Sequence, residues 1–391
     1  MRIKSLIIAM ALALTSLAAL AATPVETLAD LKQRIAADKR TAVWDVTAKQ
    51  QGGKWVLAGT VGTKAQKQAI LAAMLKNGYS GYTDKITVLE DGIPAARKWA
   101  LVKLSIATLR TEPKHSAEIA TQGIMGAPVK VLEKCDDWYR VQMADDYIAY
   151  VPESSLAFKT EAQIKAWRKA KRYIVTAYDS RLVTEAHGDE TVSDLVMGNI
   201  LEVKAESGKW LKLVTPDGRT GWVDAADVAE LSQWSQQQFS AAQIEKTARR
   251  MMGSSYLWGG TSTKVTDCSG LSKVSYLSNG IILQRDASQQ ALTGKIMKKG
   301  TDWRQYETGD LLFFGNEKTG RVTHVGLYLR DGKYIHCSGQ VKINSLDPKS
   351  SQYPYLYSPL SASRIKGMVG TKGIIALRKH PWYFGGIRSE K

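Results

Sequence analysis

The stretch TDCSGLSKVSY, residues 266–276, decides how this chain is read. It sets Cys268, one of three cysteines, between an acid and a small hydroxyl residue, and Leu271 and Val274 mark a helix behind it. Upstream, SAAQIEKTARRMMG carries an Ile244, Ala248, Met251 stripe, and a glycine-rich loop, SSYLWGGTSTKVT, leads into the cysteine. A thiol at a helix N-terminus faces the positive end of the dipole and free backbone N–H groups, which is expected to lower its pKa toward thiolate. Cys268 is therefore a candidate nucleophile; a buried spacer is the alternative.

A nucleophilic thiol needs a base held by a third group. The chain has five histidines, His115, His187, His324, His336 and His380, and two of them fall in GDLLFFGNEKTGRVTHVGLYLRDGKYIHCSG. HVGLYL and KYIHCS alternate as strands around RDG, so one hairpin carries both. A two-residue loop at Asp331 and Gly332 would pair His336 with Leu327 and turn it away from His324. A three-residue loop, Arg330 to Gly332, ending in a left-handed Gly332, sets His336 opposite Gly326 and on the same face as His324. The longer loop is expected if the site is real. Cys337 faces the other way by the period of two, and a disulfide with Cys135 is a second use open to it. Cys135 is otherwise expected to be inert.

Bulk properties frame the chemistry. MRIKSLIIAMALALTSLAALAA opens with Arg2 and Lys4 before an apolar run ending in Ala19-Leu20-Ala21, a secretory signal peptide with cleavage expected before Ala22. No later stretch approaches a membrane span, so an exported, periplasmic or extracellular protein is expected. About 370 residues remain, enough for two to four domains. An exported protein with only Cys135, Cys268 and Cys337 leaves at least one thiol unpaired. The formal charge of +17 falls to +15 without Arg2 and Lys4, which favours an anionic partner such as cell-wall polymer; no clustered basic arm points to nucleic acid. No paired CxxC or HExxH spacing occurs, so neither metal nor organic cofactor is expected.

The organisation is multidomain α+β. A helix over 24–38, strands TAVWDVTAKQ and KWVLAGTV across QGG, a helix placing Ile70, Leu71, Met74 and Leu75 on one face, and a strand KITVLE suggest a small α/β domain over 22–92. MGAPVKVLEKCDDWYRVQMADDYIAYVPESSL from Met125 and MGNILEVKAESGKWLKLVTPDGRTGWVDAADV from Met197 align without a gap at an offset of 72. Gly126 and Gly198, Val131 and Val203, Trp138 and Trp210, Tyr150 and Trp222 coincide. Short alternating strands at this spacing indicate two small β-barrels, at 97–158 and 168–232, joined by a helical TEAQIKAWRKAKR, with both indoles expected in barrel cores. The segment 240–391 holds the chemistry.

Three family resemblances follow from these motifs. The first unit resembles BON-type domains, and the repeated segments resemble bacterial SH3-like domains, which often bind cell-wall peptides. YLWGG…DCSG, RDASQQ, GDLLFF, HVGLYL and YIHCS resemble the NlpC-type cysteine peptidases, papain-like α+β enzymes that cut bacterial cell-wall peptides. That resemblance implies Cys268 as nucleophile, His324 as general base, His336 as the residue orienting it, and Tyr256 near the oxyanion. Asp267 and Ser269 flank the nucleophile as the family expects, and with Trp258 they are assigned to substrate. Two SH3-like barrels ahead of the peptidase resemble γ-D-glutamyl-L-diamino-acid peptidases acting on free murein stem peptides. There the aspartate of RDAS, here Asp286, recognises the free amine of L-Ala, and Glu118 and Tyr147 of the first barrel are candidates for closing that end. Gln284 replaces a proline often found before the arginine, and IHCS replaces IHAS. The implied partner is a small murein peptide, with no nucleic acid and no integral membrane association, and the protein is expected to be a monomer. A general wall endopeptidase or amidase on polymeric wall, and a non-catalytic wall-binding protein, remain open readings.

Overall fold

The computed structural model describes residues 22–353 and 358–385, and the stretch read as a signal peptide lies outside them. Among the described residues no helix is long and apolar enough to cross a membrane. The chain forms two compact units: one holds the residues up to Ala37 with Trp44–Thr87, the other Asp38–Val43 with Val88 onward.

The first unit follows the expected order. Helix Pro24–Ile35 starts in a capping box, in which the Thr23 hydroxyl accepts the Glu26 N–H and the Glu26 carboxylate accepts the Thr23 N–H. Strands Trp44–Gln51 and Lys54–Val61 pair antiparallel, and strand Thr83–Val88 completes a three-stranded sheet. Helix Lys64–Lys76 buries Ile70 and Met74, whereas Leu75, expected on the same face, is 59% exposed. One residue past Met74 is about 100° around the helix, outside the buried stripe.

Two seven-stranded sheets open the second unit, and they repeat each other. The first runs Leu156–Lys159, Trp99–Val102, Pro128–Cys135, Trp138–Gln142, Ile148–Pro152, Ile106–Arg110, Ile119–Ile124. The second has the same order in Val228–Glu230, Arg172–Val175, Ile200–Ser207, Trp210–Val214, Thr220–Asp224, Asp179–Val183 and Thr191–Val196. Even the irregularities coincide: the register shifts between Val131 and Glu133 in one and between Val203 and Ala205 in the other. Trp138 is buried in its sheet as expected, but Trp210 is only half-buried. Each indole meets a histidine edge-on, His115 with Trp138 at 4.9 Å and His187 with Trp210 at 5.0 Å, so the repeat extends to a pair the alignment had not drawn in. Helix Glu161–Lys169 falls between the two sheets along the chain.

Beyond Ser240, helix Ala241–Arg250 and helix Cys268–Leu277 accompany a six-stranded antiparallel sheet. Its order is Lys295–Lys298, Ser361–Arg364, Leu311–Asn316, Arg321–Tyr328, Lys333–Ser338, Gln340–Ser345. Leu271 and Val274 of the helix and Phe313, Val325, Leu327 and Ile335 of the sheet share one buried core with Ile244, Ala248 and Met251. Packing the helix on the sheet over these apolar side chains brings the N-terminus of one to the strand carrying His324.

Candidate active site

Cys268 is the first residue of its helix, and the residues before and after it explain its placement. Asp267 caps the helix: Oδ1 accepts the Gly270 N–H at 2.7 Å and Oδ2 accepts the Gly259 N–H at 3.0 Å. A Cβ on Gly270 would meet the Gly260 carbonyl oxygen at 2.0 Å, so only glycine lets the glycine-rich loop press on the first turn. Arg285 is 1% exposed and holds the cap, with Nη2 to Asp267 Oδ2 at 2.5 Å, Nη1 to Ser269 Oγ at 2.8 Å and Nε to Thr121 Oγ1 of the first barrel at 3.0 Å. Asp267 and Ser269 border the cavity, but these bonds engage their polar atoms in holding the helix start.

The thiol does not follow the helix-end argument. Burial and the Asp267 charge push the Cys268 pKa up to about 11, against the opposing pull of the Val325 and Ser269 N–H groups and Arg285. Desolvation of the thiolate outweighs the helix terminus here. Cys337 is fully buried in the core, its Sγ donating to the Thr266 carbonyl at 3.4 Å, and burial pushes its pKa up to about 12. All three cysteines are free thiols, so Cys135 and Cys337 are not paired.

The histidine hairpin has the register that places both rings on one face: Gly326 pairs with His336, Leu327 with Ile335 and Tyr328 with Tyr334. The expected three-residue loop, Arg330 to Gly332 with Gly332 left-handed, is present, and Asp331 is left-handed as well. Asp331 and Gly332 both have positive φ, 52° and 74°. The Lys333 N–H bonds to the Arg330 carbonyl while the Leu329 N–H bonds to that of Lys333, so Arg330 is the extra residue that shifts the register. His324 Nε2 then lies 2.7 Å from His336 Nδ1, and His336 Nε2 lies 2.7 Å from Asn344 Oδ1.

Asn344 sets the direction of this relay. Its Nδ2 donates to the Gln352 carbonyl at 2.8 Å, which turns Oδ1 toward His336. His336 Nε2 must then carry the proton, leaving Nδ1 to accept from His324 Nε2–H. His324 Nδ1 is thereby left with a free lone pair, the requirement for a base. Burial and the neighbouring His336 lower the His324 pKa to about 3, and burial also lowers that of His336. The resting pair is a neutral thiol and a neutral imidazole.

A cavity of about 680 Å³ opens over Cys268, and Tyr256, Trp258, Glu118, Tyr147 and Asp286 are among the residues that line it. Tyr256 is half-buried, and that burial above all holds its phenol above its ordinary pKa, so it remains a proton donor. Trp258 is 58% exposed. Glu118 is exposed on the cavity wall, and its carboxylate makes no ion pair among the described residues. Tyr147 donates to Asp286 Oδ2 at 3.2 Å, and the same oxygen accepts from Arg40 Nη1 at 2.8 Å.

Three residues of the site escaped the sequence reading. Asn344 had a usable cue, because Lys342 pairs with His336 and the residue two further along faces the same side. Arg285 sat in the quoted RDAS motif without a role. Arg40 had none, being 246 positions from Asp286.

A helix-borne cysteine packed against an antiparallel sheet with a His-His-Asn relay defines a papain-like cysteine peptidase. Residues 253–358 match the NlpC/P60 family, and residues 109–156 match the bacterial dipeptidyl-peptidase SH3 domain. The C-terminal region is an NlpC/P60 peptidase domain preceded by SH3-like regions. Dipeptidyl-peptidase 6 of Lysinibacillus sphaericus is 29% identical over 272 residues, covering 65% of this chain and 94% of that protein. The γ-D-glutamyl-L-lysine dipeptidyl-peptidase of Bacillus cereus is 27% identical over 232 residues, 57% of this chain and 68% of its own. A crystal structure of an NlpC/P60 family protein from Bacillus cereus shares the fold with a TM-score of 0.59 at 22% identity, covering 68% of this chain and 99% of that one.

Proposed function

We propose that the protein hydrolyses the γ-D-Glu to diamino-acid bond of murein stem peptides bearing a free N-terminal L-Ala, releasing L-Ala-γ-D-Glu, after export from the cytoplasm. The observation that carries this is that one cavity is lined by Cys268 and Tyr256 together with Asp286, Tyr147 and Glu118. The Asp286 and Glu118 carboxylates on that lining suit an ammonium in the same peptide as the scissile bond. The relatives named γ-D-glutamyl-L-lysine dipeptidyl-peptidase support the bond type.

In this mechanism His324 Nδ1 takes the thiol proton as Cys268 attacks the γ-carbonyl, because thiol and imidazole start neutral. Tyr256 and backbone N–H groups at the helix start stabilise the oxyanion. His324 gives its proton to the leaving amine, then draws one from water to cleave the thioester. His336 and Asn344 hold the tautomer throughout, as the third group of a triad does.

The test is incubation with L-Ala-γ-D-Glu-diaminopimelate and mass detection of L-Ala-γ-D-Glu, with Cys268→Ala as control. Cleavage at another bond, or of polymeric wall alone, would replace this reading with that of a general wall hydrolase.

A further inference from the structure

Arg40 belongs to a short segment, Asp38–Val43, that folds with the second unit. The segment is tied to both sides of the cavity end. The Arg40 carbonyl accepts the Ile148 N–H at 2.7 Å on the first barrel, and Gln289 Nε2 donates to Asp38 Oδ2 at 2.8 Å from the peptidase domain. Asp38 holds the guanidinium in a fork, Nε to Oδ1 and Nη2 to Oδ2, each at 2.8 Å. The remaining nitrogen, Nη1, bonds to Asp286 Oδ2 at 2.8 Å and Ser288 Oγ at 2.9 Å.

A cation of the protein's own thus occupies the carboxylate assigned above to the substrate's ammonium. We propose that Arg40 is a specificity-determining residue that stands in for the peptide's free amine on Asp286. The proposal rests on the free-amine reading of the preceding section. Two consequences follow from charge pairing. A free ammonium must compete with the guanidinium for Asp286, which weakens its binding. A peptide with a capped amine leaves Asp286 paired to Arg40 rather than bare, which removes the usual penalty for an unpaired carboxylate facing the ligand. Arg40 therefore narrows the preference for a free amine. Arg40 is itself forked by Asp38, and Glu118 on the same cavity makes no ion pair among the described residues, so a carboxylate is still open to an ammonium.

Binding separates this from the catalytic reading. In a Cys268→Ala background, calorimetry compares L-Ala-γ-D-Glu with its N-acetyl form for Arg40, Arg40→Ala and Arg40→Lys. Arg40→Ala should tighten the free-amine dipeptide and widen the ratio of the two affinities by tenfold or more. Arg40→Lys, which keeps the cation, should stay near the parent ratio. An unchanged ratio in Arg40→Ala, or equal weakening of both dipeptides, would overturn the proposal even if the tripeptide is cleaved. A widened ratio without any cleavage of the tripeptide would keep Arg40's role and remove the hydrolytic reading. Binding of neither dipeptide by any of the three proteins overturns both.

Discussion

His324 Nε2 lies 2.7 Å from His336 Nδ1, and this contact, read with the Asn344 amide, gives each ring one tautomer. The proposed base is therefore prepared by a chain of neutral groups rather than by a carboxylate. His336→Ala should lower kcat by tenfold or more with little change in KM, because it leaves His324 free to rotate and touches no substrate. Asn344→Ala should act in the same direction and more mildly. A change confined to KM would place His336 or Asn344 in substrate binding instead.

Cys268→Ala should abolish hydrolysis and leave unfolding temperature nearly unchanged, since the one sulfur removed borders the cavity already present rather than opening a new void. Cys337→Ala should retain activity, because its thiol bonds to the Thr266 carbonyl inside the core. Comparable loss of turnover in both variants would overturn the choice of nucleophile.

In the proposed mechanism activity requires neutral His324, so protonation in acid removes it. With that pKa lowered to about 3, the acid limb of kcat/KM should lie well below the ordinary imidazole value near 6.5. Iodoacetamide should react slowly at neutral pH and faster as pH rises toward the Cys268 pKa of about 11, because the thiolate is the reacting form. An acid inflection at 6.5 to 7, or rapid alkylation at neutral pH, would point to a preformed thiolate-imidazolium pair.

Arg285→Ala should be strongly destabilising. It strands the Asp267 carboxylate, itself 5% exposed, and cuts the bond to Thr121 of the first barrel. Losing one partner of a buried pair costs on the order of 3–5 kcal/mol. Denaturant unfolding of the variant against the parent protein measures it, and a loss under about 1 kcal/mol would mean that the cap survives without its cation.

The sequence by itself determined whatever short-range rules govern. A 72-residue offset reproduces strand boundaries and a bulge in both barrels, because turn residues and alternation act within a few positions. The pairing of Gly326 with His336 was likewise legible, since one extra loop residue sets which face every later side chain takes. Tertiary structure decided what depends on burial and on distant partners. The pKa of Cys268 rises because packing the helix on the sheet removes water from the thiol, a desolvation that no dipole argument on the helix alone contains. Trp210 lies half-buried although its repeat partner Trp138 is buried, because equivalent strands meet different neighbours. Asp286 is paired with Arg40 across 246 positions, and a motif fixes only the residues near it while the fold chooses the counter-charge.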